Sequence, residues 1–154
     1  MIPTRYHGIL DYASAIALAA VPRLLGWDRK VRTLTDVAAA GTLGYALATR
    51  YELGAFAGLT MRHHLMVDAA EGAGFLAAAA LLEDEPLSVR AALAGYGLFA
   101  LTAANFSDVT AYEGEPAMAP GKRTKTGAFV MAEDDGEVGY RPSLSLRDRQ
   151  RQRR

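Results

Sequence analysis

The chain has 154 residues, 51% of them hydrophobic, with a formal net charge of zero and no cysteine. That length makes one domain of ordinary size, the even charge offers no basic surface for nucleic acid, and the missing thiols exclude a disulfide framework, a thiolate metal site and a cysteine nucleophile. The average conceals a division: residues 9–106 are dominated by Ala, Leu and Gly, whereas residues 108–154 are polar and charged.

In chain order, the first apolar segment runs from about His7 to Gly26. It begins behind Arg5, His7 and Asp11, which is not the organisation of a secretory leader, and is read as mature structure. Between Tyr12 and Pro22 its only polar side chain is Ser14, so a helix there is apolar all round and must be covered on every side, by protein or by lipid. Pro22 and Gly26 close it. The second segment, about Leu34 to Thr49, carries Asp36 in its expected first turn and small residues at Ala40, Gly44 and Ala48, a close-packing face. The third runs from about Arg62 to Leu82 and is stopped by Glu83-Asp84-Glu85-Pro86. Ser88 is then expected to cap a fourth segment, Val89 to Phe106, which has no charge from Ala91 to Ser107.

Sliding the chain by 57 residues lays Arg5 on Arg62, His7 on His64, Asp11 on Asp68 and Leu24 on Leu81. The chain is therefore read as a duplication, with repeat one at about residues 5–54 and repeat two at about 62–107, giving a domain over 1–107 and a tail over 108–154. Residues four apart share a helix face, so each His-x-x-x-Asp pair forms a stripe at the entrance of an apolar helix. Glu71 extends the second stripe and His63 stands beside it. The candidate polar cluster is His7, Asp11, His64, Asp68 and Glu71.

Spanning a bilayer takes about 20 mostly apolar residues, and the four segments reach roughly that length when Tyr6, Trp27 and Tyr51 are counted as interfacial anchors. The expected fold is all-α: a four-helix transmembrane bundle of two duplicated helical hairpins, with a disordered or extended C-terminal tail. Gly41, Gly44, Gly95 and Gly97 are expected to pack helices within the chain or against copies of it. The expected place is the cell inner membrane, multi-pass, with both termini in the cytoplasm.

The run Arg5-Tyr-His-Gly-Ile-Leu-Asp-Tyr12, then Pro22 with Gly26, Tyr51-Glu-Leu-Gly54, and His64-Leu65 with Asp68 resembles the SPW-repeat family of small bacterial integral membrane proteins. The resemblance covers residues 5–106. The Ser-Pro-Trp signature itself reads Val21-Pro22-Arg23 in the first copy and falls near Ala78-Ala79-Ala80 in the second. The resemblance implies two copies of a two-helix membrane unit and brings no biochemical activity with it.

For function, the plainest reading is a structural or accessory subunit without catalytic activity or cofactor, its partners being the lipid bilayer and another membrane protein or copies of itself. The sharper reading is a metal site of His7, Asp11, His64 and Asp68, since imidazole with carboxylate suits zinc, iron or manganese. A haem held between His7 and His64 and a proton or ion conduit complete the alternatives; the serines lie outside any nucleophile motif. The tail, with Lys122-Arg-Thr-Lys125 and the basic end Arg147–Arg154, is expected to stay solvated or to dock on a partner or on anionic headgroups.

Overall fold

The structure is a computed structural model, and it describes residues 1–109. The tail readings made above, including the docking role, lie outside the described residues. Four helices follow one another: α1 (Thr4–Leu24), α2 (Arg29–Ala48), α3 (Met61–Leu81) and α4 (Leu87–Phe106). Among the described residues there are no strands, only two single bridge pairs, so the fold is all-α.

Local chemistry accounts for the helix ends. Pro22 is tolerated in the last turn of α1, and Gly26 stops the chain in the left-handed region at φ 64°. Asp28 then accepts from the Lys30 amide at 2.7 Å, so α2 begins five residues before the sequence suggests. Asp36 consequently lies in the second turn of α2, where it pairs with Arg23 across the α1–α2 turn at 2.5 and 2.8 Å. Thr60 caps α3. Pro86, not Ser88, precedes α4: the fixed φ of proline starts the helix and leaves Ser88 inside its first turn, without a capping role.

The helices pair as two hairpins, α1 with α2 and α3 with α4, and α2 meets α3 lightly. The helix bounds of the two hairpins correspond at fixed offsets. An offset of 57 residues carries α1 onto α3, from Thr4 to Met61 and from Leu24 to Leu81. An offset of 58 carries α2 onto α4, from Arg29 to Leu87 and from Ala48 to Phe106, because the second hairpin turn is one residue longer. The bridge pairs obey the same rule. Ile2 takes Phe106 O at 2.6 Å and gives its own carbonyl to Asp108 N at 2.9 Å; Leu59 takes Ala48 O at 2.8 Å and gives its carbonyl to Arg50 N at 2.8 Å.

The interior changes character along the helices. Towards the two hairpin turns it is apolar, built on Leu18, Val31, Phe75, Val89 and Leu93. Towards Ile2 and Ser107 it is polar, with His7, Asp11, Thr42, Thr49, His64, Asp68 and Ser107 all buried. Large apolar side chains are exposed on all four helices. Ile16 of α1, Val37 of α2, Met66 of α3 and Leu98 of α4, all well inside their helices, are 58–69% exposed. Two helices, α3 and α4, are long and apolar enough to cross a membrane; α1 and α2 fall short of the same measure.

The expected glycine contacts need correction. Gly97 does make one, with a partner not singled out from the sequence: a Cβ on Gly97 would meet Gly72 O at 2.7 Å, and one on Gly72 would meet Gly97 O at 2.8 Å. At Gly41, Gly44 and Gly95 a Cβ would meet nothing within 4 Å, because these positions lie on the outward faces of their helices. Among the described residues they make no helix–helix contact.

Candidate metal centre

The first turns of α1 and α3 bring the two stripes face to face. His7, Asp11, His64 and Asp68 are each at least 94% buried, and one donor atom from each lies within 4.8 Å of all the others. His7 Nε2 is 3.1 Å from His64 Nε2, 2.9 Å from Asp68 Oδ2 and 3.3 Å from Asp11 Oδ1. His64 Nε2 is 3.1 Å from Asp11 Oδ2 and 3.4 Å from Asp68 Oδ2. Each imidazole thus faces the carboxylate of its own helix and that of the other repeat. Asp11 Oδ2 lacks hydrogen-bond geometry to any group among the described residues and is an orphaned, buried carboxylate oxygen.

Both imidazoles are fixed from behind. Ser107 Oγ donates to Ala103 O at 2.7 Å and therefore has only a lone pair left for His7 Nδ1, 2.7 Å away. Thr49 Oγ1 donates to Tyr45 O at 2.7 Å and has only a lone pair left for His64 Nδ1, at 2.8 Å. Nδ1 of each ring must carry the proton. In its neutral form each ring then directs a bare Nε2 lone pair at the cluster. Thr49 and Ser107 are equivalent under the 58-residue offset, so the arrangement is made twice.

Comparison of the chain with family models, curated proteins and solved structures returned no match.

Glu71 joins the cluster indirectly. The Tyr45 hydroxyl lies 2.7 Å from Asp68 Oδ1 and 2.8 Å from Glu71 Oε2; Thr42 Oγ1 is 3.1 Å from both Glu71 oxygens, and Tyr96 donates to Glu71 Oε1 at 3.3 Å. His63 is exposed, bonded to Thr60, and takes no part. Tyr51 is not an interfacial anchor. Its side chain is fully buried, its ring centroid 5.9 Å from that of His64, in space left by Gly8, where a Cβ would meet the Tyr51 ring. Burial, followed by the nearby Asp11 charge, raises the pKa of its phenol and keeps it protonated. Tyr6 is exposed, and Trp27 is half-buried against the apolar core.

Sequence reasoning missed Thr49, Ser107, Tyr45, Thr42, Tyr96 and Gly8. The signal that would have found the first two is their equivalence as hydroxyls at the ends of α2 and α4, visible only at an offset of 58.

Proposed function

We propose that this chain is a small multi-pass membrane protein whose two hairpins are clasped by a divalent transition-metal ion held by His7, Asp11, His64 and Asp68. The observation that carries the reading is the head-on approach of the two Nε2 atoms at 3.1 Å beside two buried carboxylates. Two carboxylates in so dry a place have to be neutralised, by protons on the imidazoles or by a cation. Protonating both rings sets two N–H donors against each other across that 3.1 Å. Protonating one leaves a net negative charge buried. A dication among two neutral imidazoles and two carboxylates is neutral and gives each Nε2 lone pair and one oxygen of each carboxylate a partner.

The distances agree with this. Donors around an ion with bonds of about 2.0–2.2 Å sit about 2.8–3.6 Å from their nearest neighbours, in tetrahedral or octahedral geometry. The five contacts here span 2.9–3.4 Å. Zinc, iron and manganese suit such a donor set. Haem is the weaker reading, since the same 3.1 Å contact leaves no slot for a porphyrin between the rings. The proton in place of the metal is the second reading, and it is the structural role expected from the sequence: a polar clasp with no bound ion.

The bilayer reading rests on the exposed apolar side chains of all four helices and on the polar interior. It takes α1 and α2 as spans alongside α3 and α4, puts the N-terminus and residue 109 on one face, the cytoplasmic one, and agrees with the resemblance to the SPW-repeat family. The test is metal analysis of the full chain purified in detergent from the membrane pellet after an alkaline carbonate wash. One metal ion per chain, lost in Asp11→Asn and in His64→Gln while the protein remains helical and in the pellet, is expected. A folded protein with no stoichiometric metal refutes the metal reading, and release by carbonate refutes the bilayer reading.

A further inference from the structure

The two repeats agree at the four ligands and at the two hydroxyls behind them, but they differ one turn deeper. Under the two offsets Glu71 corresponds to Ser14, Tyr45 to Ala103 and Thr42 to Ala100. At these three positions one side of the centre has a carboxylate and two hydroxyl-bearing side chains and the other has three small residues, whereas at Tyr96 and Phe99, which line the same space, the larger residue is on the second side, opposite Ala38 and Gly41. A cavity of about 20 Å³ lies among Ser14, Ala100 and Ala103 on one side and Thr42, Tyr45 and Glu71 on the other, and three of the four ligands, His7, Asp11 and Asp68, also line it.

A water molecule needs roughly 10–15 Å³ of such space and two to four polar partners. The cavity has the volume of one water and too little for a larger ligand. Its polar wall is already organised: Tyr45 bridges Asp68 and Glu71, and Glu71 is held by Thr42 and Tyr96. The four donors, one from each residue, are compatible with an incomplete coordination sphere as well as a closed one, for with either Asp11 oxygen four of their six separations are 2.9–3.4 Å and none exceeds 4.8 Å. Structural zinc sites are closed by four protein ligands, whereas reactive sites keep a position for water.

Resting on the metal reading above, we infer that the centre is open: the ion keeps one exchangeable position, filled by a single water or hydroxide in the cavity beside Ser14, Ala100 and Ala103. Tyr45 and Glu71 are positioning residues for that ligand. The asymmetry between the repeats then has a chemical meaning. One half would make a closed, symmetric clasp; the other half turns it into a site where an oxygen ligand comes and goes.

The test uses the full chain in detergent, loaded with Co²⁺ for visible absorption and with Mn²⁺ for electron paramagnetic resonance in ¹⁷O-enriched water. Five- or six-coordinate Co²⁺ absorbs several-fold more weakly than four-coordinate Co²⁺. Expected are weak Co²⁺ bands and ¹⁷O broadening of the Mn²⁺ signal in the unmodified chain. In Ser14→Val, which fills the cavity, the metal stoichiometry is retained, the Co²⁺ bands strengthen several-fold and the broadening disappears. Ala103→Val fills it from the other wall and gives the same result if Ser14→Val fails to fold. Metal bound one to one with intense Co²⁺ bands and no broadening in the unmodified chain overturns the open position and leaves the metal reading standing. Failure to bind either ion overturns the metal reading and this inference with it.

Discussion

Thr49→Val isolates the part of the centre that sequence reasoning did not find. Valine has nearly the shape of threonine, so the packing of the buried side chain is preserved while its oxygen is removed. The His64 Nδ1–H then loses its 2.8 Å acceptor, and a buried donor without a partner costs about 1–3 kcal/mol. The ring can recover part of this by moving its proton to Nε2, but that is the atom the ion needs. At 1.4 kcal/mol per factor of ten, the loss corresponds to roughly 5–150-fold in metal affinity, overlapping the 10–100-fold typical for groups that orient ligands. Competition against a chromophoric chelator, with Zn²⁺ and the full chain in detergent, measures it directly. Ser107→Ala lowers affinity in the same way through His7, while Thr49→Ser keeps the oxygen and binds like the parent protein. If Thr49→Val binds Zn²⁺ as tightly as the parent, the hydroxyl does not set the tautomer of His64, and the argument for two converging Nε2 lone pairs fails.

Two further outcomes follow from geometry already described. Gly72→Ala places a Cβ 2.8 Å from a backbone carbonyl of α4, which cannot rotate away, and lowers the thermal midpoint by an overpacking cost of about 1–3 kcal/mol; Gly41→Ala, whose Cβ meets nothing within 4 Å inside α2, raises it by the helix-propensity gain of about 0.4–1 kcal/mol, and differential scanning fluorimetry in detergent separates the two. Metal loading displaces protons from the imidazoles, so apparent affinity falls as pH is lowered through the range in which histidine takes up protons; calorimetric titrations at several pH values check this, and an affinity independent of pH contradicts ligation by Nε2.

The four helices and the two His-x-x-x-Asp stripes are legible in the sequence because both depend on local periodicity: a long apolar run, and a spacing of four that a helix turns into adjacency. The partners of the stripes are not legible in the same way. Thr49 and Ser107 are single hydroxyls at helix ends, and the extra residue in the second hairpin turn puts them out of register with the 57-residue slide that exposes the histidines. Tyr51 misleads for a related reason. An aromatic residue beside Arg50 and Glu52 at the end of an apolar run has the local pattern of a membrane-interface anchor, and only the missing Cβ of Gly8, 43 positions earlier, makes room for it inside. Gly41, Gly44 and Gly95 have the spacing of contact residues, yet spacing along one helix cannot say which face its neighbour takes.

The matched bridges of Ile2 with Ser107 and of Thr49 with Leu59 mean that each hairpin ends where the next begins, whether or not the backbone is continuous there. A polypeptide carrying one unit would own one imidazole, one carboxylate and one orienting hydroxyl, with the His–Asp contact along its own helix complete and only half of every contact that joins the two hairpins. A second copy of itself would supply the missing half of the cluster. The covalent link between the hairpins makes that self-pairing permanent, and it frees one half to lose Glu71, Tyr45 and Thr42 equivalents that a symmetric pair of identical chains would have to keep or discard together.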